Sequence, residues 1–510
     1  MKIFTAPQLK SWDAYTILHE PIESIALMER AARACYQWIR LELPLQEDKE
    51  ATTARSVKIF CGKGNNGGDG LAVARMFLND GIAAAVYVLD SGTAGTKAFD
   101  IKLKALKEMN TQVQEIQSLN QLPHVDQTDI VVDALFGTGL NKPLDSLAAA
   151  LVKHINESNA TIVSLDLPSG LFADESSIGL PVIKAKYTLS FQGYKLAFLL
   201  PENEHNVGKV FIVDINLHKQ FETKEPVKSY LTDLAMIKSL FRKRGKFAHK
   251  GNFGHALLMA GSPGKLGAAT LASNACLRSG VGLLTIQVPE VAYEILQASA
   301  PEAMTVTEHN IDYQAYTVAG IGPGLGTSKE AINRLTGILN HSNQLKNAVI
   351  NELSCLVLDA DALNILSLNP HLLQRLPART ILTPHPKEFE RLFGSTANEF
   401  DRLQLALSKA KQYQCFIVLK GHHSFIANPQ GIGYFNNTGN AGMATGGTGD
   451  VLTGIITGLA AQGYTALESC LLGVYLHGLA GDIAAEKFSQ EAMVAGDIIR
   501  CLGEAFKKIS

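Results

Sequence analysis

The chain has 510 residues, 46% of them apolar and 18% charged, with 44 glycines. That composition builds buried cores and excludes a mostly disordered, collagen-like or coiled-coil chain, and the length suits two to four domains of about 100–200 residues each. The formal charge is −2, from 46 Lys plus Arg against 48 Asp plus Glu, so no electrostatic footprint for nucleic acid or an anionic membrane exists.

Anionic ligands must then be held by local devices such as backbone amides and helix N-termini. The seven cysteines are scattered, odd in number and without a C-x-x-C pair. This argues against a disulfide framework and against a cysteine-based zinc site, and leaves reduced cysteines packed as small apolar residues. The N-terminal stretch MKIFTAPQLKSWDAY has neither a signal-like apolar run nor a transit pattern. No run approaches about 18 apolar residues, so no membrane span is expected and a cytoplasmic soluble protein is the default.

In chain order, a helix is predicted over 22–43, closed by Pro44. Near-continuous apolar runs at 57–61, 83–89, 130–135, 161–165, 187–191 and 210–214 read as strands buried on both faces. Spacers of roughly 20–40 residues leave room for helical crossovers, which predicts a parallel sheet with helices on both faces. The charged segment HKQFETKEPVKSY, with Pro226, reads as an interdomain linker over 218–230. It separates a domain at 1–217 from one at 231–510. The second block alternates again, with strands at 255–260, 283–288, 317–321, 355–359, 380–382 and 416–420. A hairpin pairs 425–428 with 432–435 around Pro429-Gln430-Gly431, and the tail from Val451 is helical. The fold class is α/β, in two domains.

The first block concentrates polar residues at strand ends. GKGNNGGDG (62–70) follows the first strand and opens a helix, and Gly62, Gly64 and Gly67 satisfy G-x-G-x-x-G. Asp90 ends the next strand, as the acid of a dinucleotide fingerprint does. A tight turn without a ligand is the bland alternative, although the amides and carboxylate of NNGGD also suit a hard cation. DALFGTGLNKP (133–143) and DLPSG (166–170) repeat the design, and in open parallel sheets such loops converge on one crevice. Asp133 and Asp166 read alternatively as caps or turn formers. Lys195 is either a catalytic cation or, on composition, a solvated surface lysine.

The second block carries two glycine-rich loops, GIGPGLG (320–326) and GNAGMATGGTGDVLTG (439–454). In the latter, the amides of Gly446, Gly447, Thr448 and Gly449 can point at an anion at a helix N-terminus, with Asp450 beside the phosphoryl group as a base. The alternative for Asp450 is a plain acid satisfying the helix dipole. KGHHS (420–424) offers a cation, a close-approach glycine and polar side chains to a nucleotide. His422 and His423 are discounted as a metal pair, because neighbours in an extended segment point oppositely. Asp359 and Asp361 in VLDADALN are candidates to assist magnesium, and His385, between prolines in TPHPKEF, reads as a ligand contact. HGLAGD (477–482) reads as helix packing with a local hydrogen bond.

Taken together, GKGNNGGDG, DALFGTGL and DLPSG, followed by GS-x-G, GPGLG, LDADALN, TPHPKEF, KG and GGTGD, make nearly the whole chain resemble the bifunctional NAD(P)H-hydrate repair enzymes. The resemblance implies an N-terminal Rossmann-like three-layer αβα domain that epimerises R and S hydrated NAD(P)H. It implies a C-terminal ribokinase-like αβα domain that dehydrates the S form to NAD(P)H at the expense of ADP, giving AMP and phosphate. It further implies that Asn65, Asn66, Gly67, Gly68 and Asp69, then Gly137, Thr138, Gly139, Leu140, Asn141, Lys142 and Pro143, and also Asp166, contact the hydrated nucleotide. Asn66, Asp133 and Ser169 would bind K+, and Asp166 and Lys195 would be the acid/base participants. Ala268, Gly324 and His385 would touch the hydrated dinucleotide; Lys420, Gly421, His422, His423, Ser424 and Gly449 would hold the adenine nucleotide, with Mg2+; Asp450 would be the base. A homo-oligomer is expected, with no nucleic acid or membrane as partner.

The chemistry is coherent, since hydroxide is a poor leaving group and phosphorylation of the ring hydroxyl makes departure easy. Three other readings stay open. They are a ribokinase-like small-molecule kinase, a nicotinamide-dependent dehydrogenase using GKGNNG and Asp90, and a non-catalytic sensing role for the first domain.

Overall fold

The computed structural model describes residues 1–43, 56–90, 92–307, 311–344, 353 and 355–510. The chain divides into two compact units, Lys2–Val227 with Asn398–Phe400, and Lys228–Ala397 with Asp401–Ser510 and Met1.

The first unit holds a seven-stranded sheet in the order Val113–Ile116, Ala84–Leu89, Val57–Cys61, Ile130–Ala134, Thr161–Leu165, Tyr187–Phe191 and Lys209–Val213. Every pairing is parallel. The central strands are those read from apolar runs, since a strand covered on both faces has no reason to alternate. Val113–Ile116 (VQEI) was not anticipated: it lies at an edge with its middle residues exposed, so it carries no apolar signal. Helices Asn65–Asn79, Lys97–Lys107 and Ser146–Glu157 supply crossovers. Thr96 caps the second through Phe99 N at 3.3 Å, and Asp145 caps the third through Ala148 N at 2.8 Å. Phe60, Phe77 and Phe99 are fully buried, each contributing about 1.5–3 kcal/mol of apolar transfer. The expected N-terminal helix is present as Ser24–Glu42, preceded by a second, Ala6–His19; Pro44 lies outside the described residues.

The segment expected as a linker carries a helix, Lys219–Lys224. It forms because Phe221 leaves water to stack on Trp12 at 5.7 Å between ring centroids.

The second unit's sheet runs Ser229–Thr232, Gly433–Asn436, Phe425–Ala427, Phe416–Leu419, Ile381–Leu382, Cys355–Leu358, Val318–Ile321, His255–Met259, Leu283–Gln287 and Met304–Val306. The hairpin strands pair antiparallel, as the turn residues indicated. From Phe416–Leu419 outward to Met304–Val306 all pairs are parallel. Three helices, Thr448–Ala461, Ala466–Phe488 and Ala495–Ile509, form the predicted helical tail. The first is apolar almost all round and sits in the core, packed against Leu266–Arg278.

All seven cysteines are free and buried. Burial holds each thiol above its ordinary range. No helix among the described residues is long and apolar enough to cross a membrane.

Candidate active sites

In the first unit the three motif loops leave the neighbouring strands Val57–Cys61, Ile130–Ala134 and Thr161–Leu165 at their carboxyl ends. The first loop turns straight into helix Asn65–Asn79, with Gly64 as N-cap and no side chain capping it. Glycine is required at 67, where a Cβ would stand 1.7 Å from the Gly62 carbonyl oxygen. Asn66, Gly67, Gly68 and Asp69 are buried. Neither the oxygen nor the nitrogen of the Asn66 amide has a partner, an unusual state for a buried amide and one that a ligand would relieve.

Asp166 and Gly137 lie against this amide. A Cβ on Gly137 would come within 3.1 Å of Asp166 Oδ2 and 3.3 Å of Asn66 Cγ. Asp166 Oδ2 accepts from Thr138 N at 3.2 Å, tying the second loop to the third. Its backbone is left-handed, with φ +65°, a strained state held by its surroundings. Lys195 is no solvated surface lysine: it is 1% exposed. Its Nζ donates to Asp166 Oδ1 at 2.6 Å, to Ser190 Oγ at 2.7 Å and to the Phe191 carbonyl at 3.1 Å. All three ammonium donors are thereby used, as a buried charge demands. Leu140 N closes a turn onto the Gly137 carbonyl at 3.1 Å, and Gly139, Asn141, Lys142 and Pro143 line the exposed rim.

Asp133 is fully buried and does more than form a turn, since it engages two serines besides the amide two residues on. It accepts from Ser164 Oγ at 2.7 Å, Ser169 N at 2.9 Å, Ser169 Oγ at 2.5 Å and Leu135 N at 3.3 Å. Ser169 Oγ also stands 3.1 Å from the Phe136 carbonyl. Asp90 is engaged within the protein, Lys63 Nζ and Gly92 N reaching Oδ1 at 2.5 and 2.9 Å. Lys63 holds its carboxyl below the usual range.

Sequence reasoning missed one group. Asp13, on helix Ala6–His19, faces Asp166 and Lys195, and burial followed by the Asp166 charge lifts it to about 6. Asp69 is pushed well above the carboxylate range by burial, then by Asp166 and Asp13. Two carboxyls beside the Asp166–Lys195 pair therefore keep their protons to a higher pH than carboxylic acids in water do.

In the second unit, five motif loops leave adjacent parallel strands on one side, and residues of four of them, with Asp450, line a cleft of about 540 Å³. Its lining includes Ala268, Gly324, His385 and Asp450, so the structure brings these predicted residues together. A Cβ on Gly324 would stand 3.1 Å from Ala268 Cβ. Helix Thr448–Ala461 begins at Gly447, with φ +91° and no capping side chain, leaving its positive end bare. A Cβ on Gly449 would meet Lys420 Nζ at 3.3 Å, which places the lysine at that helix start.

Lys420 is the hub. Its Nζ donates to Asp359 Oδ1 at 2.8 Å and lies 3.8 Å from Glu388 Oε2. Burial alone would lower its pKa; the charges of Asp359 and Glu388 overcome that and raise it. Asp359 Oδ2 accepts from Thr453 Oγ1 at 2.7 Å. Glu388 accepts from His385 N at 2.9 Å, while His385 Nδ1 accepts from the amides of Lys387 and Glu388 at 3.1 and 3.3 Å. This reciprocal cap fixes the ring, and burial lowers its pKa so that it stays neutral. Glu388 went unassigned in the sequence, although its spacing of three from His385 is that of a capping box.

Asp359 and Asp361 do not present free carboxylates to magnesium. Lys420 and Thr453 engage the first; Gly326 N at 2.8 Å, Lys265 Nζ at 3.3 Å and Asn364 Nδ2 at 3.1 Å engage the second. Asp450 differs. Burial, then the nearby Asp359 charge, raises it to about 6, and no donor among the described residues reaches it. The two histidines of KGHHS do not point apart, because the segment is a turn and not extended; their rings pack edge to face at 4.5 Å. His423 Nδ1 bonds the Asn436 carbonyl at 3.0 Å, and Ser424 Oγ closes the turn by bonding the Gly421 carbonyl at 3.0 Å.

Sequence comparison finds one family model in each half of the chain. A family model described as NAD(P)H-hydrate dehydratase matches residues 256–503, and one described as YjeF-related protein N-terminus matches 24–197. The bifunctional NAD(P)H-hydrate repair enzyme of Moorella thermoacetica is 35% identical, covering 98% of this chain and 95% of its own length. That of Escherichia coli is 30% identical, covering 93% and 88%. Among solved structures, a ribokinase-like superfamily protein from Enterococcus faecalis V583 aligns with a TM-score of 0.50 and 29% identity, over 56% of this chain and 98% of its own. The chain therefore belongs to the bifunctional NAD(P)H-hydrate repair enzymes, with an epimerase domain followed by a dehydratase domain.

Proposed function

We propose that the second domain dehydrates the S hydrate of NADH or NADPH using ADP, and that the first interconverts the R and S forms. The observation that supports it best is the bare start of helix Thr448–Ala461, flanked by Lys420 and by the unengaged carboxylate of Asp450. A diphosphate on the Gly446–Gly449 amides sets its terminal phosphorus beside Asp450. Asp450 takes the proton of the ring hydroxyl as that oxygen attacks phosphorus, and AMP departs. The ring nitrogen then pushes out phosphate while the adjacent carbon loses a proton, giving NAD(P)H. Lys420, Gly421, His422, His423, Ser424 and Gly449 hold the adenine nucleotide; Ala268, Gly324 and His385 hold the hydrated dinucleotide.

The residues suit magnesium that arrives with the nucleotide. No cluster of three His, Cys, Asp or Glu capable of holding a metal exists among the described residues, and this ion is usually held by phosphates, waters and one or two carboxylates. When bound it offsets phosphate charge.

In the first domain, Asp166, paired to Lys195, serves as the base, and Asp69 keeps a proton to donate. A carboxyl that burial keeps protonated, close to one bonded to a lysine, suits an acid and a base. Asp69 protonates the departing hydroxyl, the ring nitrogen expels it as water, and Asp166 takes the proton when water returns to the opposite face. Asn65 to Asp69, and the loop from Gly137 to Pro143, hold the nucleotide. Potassium fits Asn66, Asp133 and Ser169: the Asn66 oxygen is buried without a partner, and Ser169 Oγ brings Asp133 Oδ1 and the Phe136 carbonyl oxygen together around itself. Its chemistry there is a positive charge on a carboxylate-rich site. A homo-oligomer is part of this reading.

Incubating the protein with mixed-epimer hydrated NADH, ADP and magnesium is expected to regenerate NADH absorbance together with AMP and phosphate. A stable phosphorylated dinucleotide would reveal a kinase instead, and a rise independent of nucleotide would reject the assignment. The pH dependence of that rate supplies a second check. Because the Asp450 pKa is raised, its protonated, inactive form persists up to about 6. We expect kcat/KM, after subtraction of the nucleotide-free rate, to climb about tenfold per pH unit and level off near that value. A rate that stays level down to the ordinary carboxylate range would exclude Asp450 as the base.

A further inference from the structure

The loop that opens onto Asp450 runs over helix Ala466–Phe488, and HGLAGD in that helix reaches well beyond the local hydrogen bond expected of it. A Cβ on Gly478 would stand 2.3 Å from Thr438 Oγ1, and one on Gly481 2.3 Å from Met443 Sδ. The loop thus rests directly on two glycines. Between these contacts, Asp482 Oδ2 accepts from Gly439 N at 3.0 Å, and Oδ1 accepts from Asn440 Nδ2 at 3.0 Å. Asn440 Oδ1 in turn accepts from Gly442 N at 3.0 Å, closing the turn Ala441–Met443 that leads toward Gly446. The carboxylate spends both oxygens on the loop. Gly439 has φ +107°, and a segment this rich in glycine has many backbone states to choose from. Charge-assisted bonds to a main-chain amide and an amide side chain select one of them.

We propose that Asp482 and Asn440 form a positioning pair that fixes the course of the 439–450 loop, preorganising the Gly446–Gly449 amides for the nucleotide phosphates. The inference rests on reading that loop as the nucleotide cradle. It extends the dehydratase site to helix Ala466–Phe488.

The test uses the full-length protein and reads kcat, the KM for ADP, thermal stability and R/S interconversion. Asp482→Asn keeps the acceptor for Gly439 N but turns an amide nitrogen toward Asn440 Nδ2. The KM for ADP is expected to rise about tenfold or more. Adding Asn440→Asp restores the pairing in reverse: the carboxylate introduced at position 440 accepts from the amide introduced at position 482, and still accepts from Gly442 N. The doubly substituted protein is expected to return to within about twofold of the wild-type KM. Asn440→Ala, which spares the bond to Gly439, serves as a milder variant should Asp482→Asn lower stability. A tether that merely held the fold together would reduce the active fraction, scaling kcat at constant KM. An unmoved KM for ADP in Asp482→Asn and Asn440→Ala, or no rescue by the exchange, overturns the proposal alone. Wild-type protein without nucleotide-dependent dehydration overturns the cradle reading and the proposal with it.

Discussion

Replacing Asp450 with asparagine is expected to lower kcat for nucleotide-dependent recovery of NADH by about 10²–10⁴, the usual worth of a positioned base. Asparagine has the same shape, so the helix start, Lys420 and the Asp359–Thr453 pair keep their places. What disappears is the capacity to accept a proton. No donor among the described residues reaches Asp450, so the exchange leaves no orphaned partner and stability should hold. Nucleotide affinity, measured by calorimetry, should change little or tighten, because a negative charge beside the phosphates is removed. R/S interconversion in the same protein is the internal control. A variant that still turns over at the wild-type rate would move the base elsewhere.

The second large effect lies at Asp166. Asp166→Asn is expected to slow R/S interconversion by about 10²–10⁴ while leaving dehydration of pure S hydrate intact. With a mixture of epimers, the wild type consumes all the hydrate, whereas the variant should halt once the S form is exhausted and continue only at the spontaneous rate of epimerisation. Lys195, 1% exposed, loses its charge partner in this variant. Stranding a buried charge costs about 3–5 kcal/mol, less where a neutral acceptor remains, so a lower melting temperature should accompany the loss. Full consumption of the mixture at the normal rate would remove Asp166 from the mechanism.

How far the sequence reveals this molecule can be judged from particular residues. The central strands were legible because burial on both faces removes the alternation that would confuse a strand with a surface element. Val113–Ile116 and Met304–Val306 were not, being short edge strands whose partly exposed residues carry no such signal. Asp166 and Asp450 stood out because an acid at a strand or helix end, beside glycines, is placed for chemistry. Lys195 stood out as well, but its burial was not legible, because burial of a lysine depends on acceptors that only the folded chain assembles: Asp166, Ser190 and the Phe191 carbonyl. Asp13 was silent for the same reason, since its neighbour Asp166 lies far along the chain. Asp482 lies in a helical motif that suggests only a local partner, whereas its two donors come from a loop about forty residues earlier.

The buried thiols bear on the conditions this catalyst endures. Hydrated nicotinamide is a lesion, and the peroxides and electrophiles that accompany metabolic damage attack thiolates at the protein surface. Here every sulfhydryl lies out of reach and keeps its proton. Burial thereby shields the chain's thiols from such agents, and the residues proposed for its two reactions include no cysteine that oxidation would consume.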